Sequence, residues 1–182
     1  MMQLTYNERN LVGDGCTETT DVGLSKFGRA VVKEMNRIGM IIDLSHCGDQ
    51  TTLDAIEASE DPVIISHSNP RALCNNVRNK TDEMIKRAAE KGGIIGITTY
   101  HPLLGARKDK DVGLDDFLDH IDYVVNLVGI DHLGIGSDYG PGTRDKALHE
   151  SRSGRFWDLY PEVCGLCKPG QATKGLEELQ CY

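Results

Sequence analysis

The sequence predicts an α/β fold, a partial (β/α)8 TIM barrel with about five of eight strands present. Three observations predict it. An apolar run ending in Ser-His occurs twice, as MIIDLSH at 40–46 and PVIISH at 62–67, and both runs are short, Ile-rich and flanked by turn formers. Between them DQTTLDAIEAS at 49–59 has a polar start and apolar residues at Leu53, Ile56 and Ala55 or Ala58, which suits a short helix lying on a sheet. Such a crossover makes its two strands parallel, and the same strand–helix rhythm continues downstream. A closed eight-stranded barrel takes roughly 250 residues, so five strands in 182 residues make only part of one.

In chain order, MQLTY at 2–6 alternates and is β-prone, so a strand starts at the first residues. Residues 7–21, with Gly13 and Gly15, read as a long loop over a site. Residues 24–38 predict a helix with Ser25 as N-cap, Phe27, Val31, Met35 and Ile38 as its apolar stripe, and Gly39 as its stop. Strand 40–45, helix 49–59 and strand 62–66 follow. After His67 come a loop with one helical turn and a polar irregular stretch at 75–79. Thr81 caps a helix over 81–91, with acids in its first turn and Lys91 in its last, before Gly92 and Gly93 end it. A strand at 94–99, a polar loop at 101–111, an amphipathic helix at 115–128 and a buried strand at 132–137 lead to Asp138. Beyond it the regularity fails: turn residues crowd 140–142 and 152–170, and 174–179 begins a helix. A strand at the first residue and this irregular tail predict a single partial barrel domain over 1–182 that is cut at both ends.

Composition excludes several function classes. At 39% hydrophobic and 26% charged residues the chain is ordinary globular material. A net charge of −8 argues against nucleic acid or an anionic membrane as the main partner and favours a small substrate. No segment approaches the roughly 20 apolar residues of a membrane span, and the first residues carry no signal pattern. Of six cysteines, Cys47 and Cys74 fall in the predicted core and read as reduced packing residues. Cys164 and Cys167 form a lone CxxC, which lacks the second pair of ligands that a structural zinc site needs.

The residues fit for chemistry gather at one end of the strands. His46, His67 and Asp138 each follow a strand directly, at the end where α/β folds place their sites. Parallel neighbours lie roughly 4.8 Å apart, so two imidazoles there can share one zinc, whose bonds to nitrogen are ~2.0–2.1 Å. The plainer alternative is that each histidine caps its strand. Asp138 supplies a carboxylate able to manage the proton of a bound water. Arg78 lies in the loop after His67, where its fork can hold a substrate carboxylate, or else make a surface salt bridge. His101 precedes a proline and His132 precedes a strand, so both are weaker candidates. His120 and Asp122 spell H-x-D, but inside a helix such side chains point about 200° apart.

Four motifs in order, GMIIDLSH at 39–46, PVIISHS at 62–68, NVRN at 76–79 and GIGSD at 134–138, resemble the renal or membrane dipeptidase family of zinc peptidases. LTYN at 4–7, NLVGDGC at 10–16 and GLSKFG at 23–28 resemble its bacterial members, and ATKGLE at 172–177 resumes the match. The resemblance implies a metal-dependent hydrolase barrel with two zinc ions sharing a bridging carboxylate and a water or hydroxide that attacks a dipeptide. It makes His46 and His67 ligands of the second zinc, Arg78 the binder of the substrate carboxylate and Asp138 the proton-handling acid. Tyr6 falls where mammalian members place a substrate-contacting histidine. The family's first-zinc ligands, an H-x-D pair and the bridging Glu, belong upstream of anything in this chain, so it keeps only part of one zinc site and is expected to be inactive alone. Tyr-Gly-Pro-Gly follows Asp138 in place of the family's Phe-Asp-Gly. A dipeptide is the implied partner, nucleic acid is not, and a homodimer is left open. A bacterial member implies the cytoplasm. Two other readings stand beside this one: a non-catalytic fragment or degenerate homologue with a structural role, and another barrel metal-dependent hydrolase acting on esters or phosphoesters.

Overall fold

The apolar runs pair side by side in the order in which the chain makes them. The computed structural model describes residues 1–105 and 112–138. They form one sheet of five parallel strands in the order β1-β2-β3-β4-β5: β1 (Met2–Gln3), β2 (Ile42–Asp43), β3 (Ile64–Ser68), β4 (Ile94–Ile97) and β5 (Leu133–Ile135). The crossovers run through α1 (Lys26–Arg37), α2 (Asp49–Ala58), α3 (Asp82–Glu90) and α5 (Leu114–Val128), while α4 (His101–Leu104) is one short turn after β4. This is the serial order of a partial α/β barrel.

Side-chain alternation sorts the strands into two faces. Ile42, Leu44, Ile65, Ile95 and Ile97 are buried in one cluster with Val32 and Met35 of α1, Ala55 and Ile56 of α2, Ile85 of α3 and Val124 of α5. Each such Ile, fully removed from water, stabilises the fold by about 1.5–3 kcal/mol. The alternate residues Ile41, Asp43, Ile64, Ser66 and Ile94 take the other face. Caps set the helix starts: Ser25 Oγ accepts from Gly28 N at 2.9 Å and Thr81 Oγ1 from Met84 N at 3.4 Å, and Gly113 N donates to the Asp116 carboxylate at 2.9 Å. Among the described residues no helix is long and apolar enough to cross a membrane.

Several expectations need correction. The first strand ends at Gln3 rather than Tyr6, because after Leu4 N donates to Asp43 O at 3.3 Å the chain turns away, with Gln3 Nε2 bonding to Thr5 O at 2.9 Å. The other strands are also shorter than or offset from the apolar runs. The inward stripe of α1 is Gly28, Val32 and Met35, whereas Phe27 and Ile38 are 57% and 51% exposed. Gly28 explains this rotation: a Cβ there would overlap the Val12 carbonyl oxygen, so the helix packs its glycine against the 11–12 segment. Residues 101–104 are helical instead of part of a polar loop, since Leu103 and Leu104 are both buried. In α2 Thr51 and Thr52 are buried in place of Leu53. The CxxC, the 140–142 and 152–170 stretches, the 174–179 helix and the 172–177 match lie outside the described residues.

Candidate functional site

The two Ser-His segments end β2 and β3 beside each other. The register of β3 against β4 shifts between Ile65 and Ser68, and such a bulge re-aims the side chains it contains, here Ser66 and His67. Its surroundings require close approach: a Cβ on Gly96 or on Gly136 would overlap the Ser66 carbonyl oxygen. Gly136 N donates to Ile97 O at 3.0 Å, which carries the chain past the end of β5 toward the site. Asp138 then takes a left-handed backbone, φ 57°, and sets its Oδ1 4.0 Å from His67 Nε2.

The histidines meet at their Nε2 atoms, 2.9 Å apart, and the atoms behind them decide what those nitrogens carry. His46 Nδ1 lies 2.6 Å from Asn7 Oδ1, an acceptor, so it bears the proton. Asn7 itself holds a left-handed φ of 60°, which Asn tolerates better than most residues. Ser66 Oγ is 2.8 Å from His67 Nδ1 and donates its own proton to Asp43 Oδ2 at 2.6 Å, so it accepts from His67 Nδ1. Ser45 Oγ donates to Asp43 Oδ1 at 2.7 Å and accepts from His67 N at 3.0 Å. The tautomers follow from this network: both Nε2 atoms present lone pairs to the same point.

Burial and the charge of Arg78 disfavour a proton on either ring. Burial, then the Arg78 guanidinium and His67, push His46 down to about 3. Burial lowers His67 too, against the opposing pull of Asp138 and with further lowering by Arg78. Burial drives the Asp43 carboxyl upward, but hydrogen bonds from the side chains and backbones of Ser66 and Ser45 outweigh it and hold the group below its ordinary value. Arg78 donates from one terminal nitrogen to Ser45 O and from the other to His67 O at 3.0 Å. It is thus fixed to the backbone of both histidine segments, and two of the five N–H donors of a guanidinium are used. Tyr6 stacks on His46, ring centroids 4.1 Å apart and planes 21° from parallel, with its side chain largely exposed.

All five residues singled out from the sequence, Tyr6, His46, His67, Arg78 and Asp138, therefore lie in one neighbourhood. Asn7, Asp43, Ser45 and Ser66 were missed as functional groups. For Asp43, Ser45 and Ser66 a signal was present, a carboxylate inside an apolar strand and a serine before each histidine, whereas none marked Asn7. Of the weaker candidates, His120 is buried in α5 with Nε2 at 3.3 Å from Leu104 O, and His132 Nδ1 meets Gly93 O at 2.9 Å, where β4 begins. Cys47 is fully buried and Cys74 half-buried, both as free thiols. Among the described residues no cluster of three or more His, Cys, Asp or Glu side chains is placed to hold a metal.

Residues 1–156 match the family described as Membrane dipeptidase (Peptidase family M19). The chain is 41% identical over 180 residues to the dipeptidase tcpJ of Claviceps purpurea, covering 97% of this chain and 41% of that protein. An amidohydrolase structure from Pseudomonas aeruginosa superposes with a TM-score of 0.73 at 45% identity, over 81% of this chain and 44% of that one. A metallopeptidase structure from Rhodobacter sphaeroides, bound to a phosphinate mimic of the dipeptide L-Ala-D-Ala, gives a TM-score of 0.70 at 28% identity, over 75% and 41% of the two chains. The chain spans a third to two fifths of the length of the curated relatives it matches. By the extent of these matches the chain belongs to the membrane dipeptidase family, peptidase family M19.

Proposed function

We propose that His46 and His67 hold one zinc ion of a two-zinc dipeptidase centre, and that the reaction these residues serve is hydrolysis of a dipeptide. The observation that carries this reading is the pair of Nε2 lone pairs, 2.9 Å apart and fixed from behind by Asn7 and Ser66. Two lone pairs repel unless a positive charge lies between them. A proton is disfavoured by burial and by Arg78, which leaves a metal ion as the charge that suits them, and both nitrogens fall within bonding reach of one zinc at ~2.0–2.1 Å. The two imidazole nitrogens fit part of a zinc donor set, which takes three protein ligands in a catalytic site. When bound, zinc supplies Lewis-acid activation of water at neutral pH.

The chain's own residues do the rest. Asn7 and Ser66 keep each Nδ1 protonated so that each Nε2 faces the ion, the role usual for partners behind a metal-bound histidine. Arg78, held by two carbonyls, keeps donors for the free carboxylate of the substrate. Asp138, beside His67, takes the proton of the attacking water and returns it to the leaving amine. Tyr6 shields His46 and forms part of the substrate wall. Zinc chemistry here also calls for the H-x-D pair and bridging Glu that the family resemblance implies. Dipeptides and their C-terminal amides, offered with Zn2+, test the assignment. The dipeptide should bind and the amide should not, and Arg78→Ala should erase the difference. Equal binding of acid and amide would contradict the dipeptide assignment.

A further inference from the structure

Lys80 is the largest fully buried side chain among the described residues, at 0% exposure. Its Nζ donates to Cys47 O at 2.8 Å and to Thr52 Oγ1 at 3.1 Å. Thr52 commits its own proton to Gly48 O at 2.7 Å, so its oxygen is free to accept. Burying an ammonium costs far more than burying hydrocarbon of the same length, so filling space does not account for a lysine here. What the charge holds does. Cys47 directly follows His46, and Lys80 closes the segment that carries Arg78: Lys80 N donates to Asn69 O at 2.9 Å and Arg71 N to Lys80 O at 2.8 Å. Arg71 adds a forked bond to Asp49, 2.5 and 2.7 Å, and donates to Asn79 O at 2.8 Å. Residues 69–80 thus grip residues 45–52 at Ser45, Cys47 and Asp49.

We propose that Lys80 is a positioning residue for the metal centre, its buried ammonium tying the backbone beside His46 to the end of the Arg78 segment so that both keep one geometry. The inference rests on the reading of His46 and His67 as metal ligands. Met fills nearly the same space without the charge, so Lys80→Met removes the tie and leaves the packing.

Co2+ is the probe, because its visible absorption reports the geometry of its ligands as well as occupancy. The 182-residue chain, Lys80→Met, Thr52→Val, His67→Ala and a core control, Val124→Ala, are titrated with Co2+ and melted by circular dichroism. Lys80→Met should still melt cooperatively, bind Co2+ about 10- to 100-fold more weakly, as loss of an outer partner does, and show an altered spectrum. Thr52→Val, which removes one of the two acceptors, should move both readouts less and in the same direction, and it decides the matter if Lys80→Met does not fold. Val124→Ala should lower the melting temperature and leave the Co2+ spectrum unchanged. Wild-type affinity and spectrum in Lys80→Met, or an equal loss in Val124→Ala, would overturn the role of Lys80 alone. A wild-type chain whose Co2+ binding does not depend on His67 would overturn the metal reading beneath it.

Discussion

Neither Nε2 atom of the histidine pair is placed by the other; each is placed by what stands behind its ring. Ser66 is the link whose removal shows this most cleanly, because it passes the Asp43 hydrogen bond to His67. Ser66→Ala should weaken zinc binding about 10- to 100-fold with little change in the circular dichroism spectrum, measured by competition with a chromogenic chelator. Acid should act on the same pair. The folded-state pKa of His46 is depressed from 6.5 to about 3, so below 6.5 the unfolded chain binds a proton that the folded chain refuses. Its contribution to stability is complete above 6.5 and is lost as pH falls toward about 3. The urea midpoint of the metal-free chain should fall across that window, and His46→Gln should flatten the fall. At this scale the repeated Ser-His exposed the histidine pair in the sequence. The partner Asn7 stayed hidden, since its role depends on a loop brought against a histidine 39 residues further along the chain, His46.

Among the elements, the strand ends aim the site and the helices support it. Gly136 shows the first. A Cβ there would press on the Ser66 carbonyl oxygen, so Gly136→Ala should cost about 1–3 kcal/mol by overpacking and weaken zinc binding by displacing His67 and Asp138 together. A melt and a zinc titration of the same variant check both halves. The second is visible in α1. Met35→Ala, from the inward stripe, should cost about 2–5 kcal/mol, whereas Phe27→Ala, exposed, should stay within about 0.5 kcal/mol; urea unfolding of the two separates them. Periodicity placed this helix correctly but turned its face, because Phe27, Val31, Met35 and Ile38 share a spacing as good as that of Gly28, Val32 and Met35. Only the contact of Gly28 with Val12 distinguishes the two stripes. The turn at α4 was missed for a related reason: Leu103 and Leu104 are too few to show a period.

For the whole molecule, strand order and direction were legible from the serial rhythm of apolar runs and helices, and the structure keeps that order from β1 to β5. Strand lengths were less legible, since past the strand ends the pairing goes on through single backbone bonds, Leu44 N to Ile64 O at 2.9 Å and Gly136 N to Ile97 O at 3.0 Å. The geometry of the site brings the two histidines of the repeated Ser-His together at their Nε2 atoms. Zinc titration of the 15N-labelled chain, followed at the histidine side chains by NMR, tests the metal assignment most directly. The Nε2 signals of His46 and His67 should shift together, both Nδ1 protons should remain in place, and His120 and His132 should not move. Zinc that leaves His46 and His67 unshifted, or that binds through Nδ1, would contradict it.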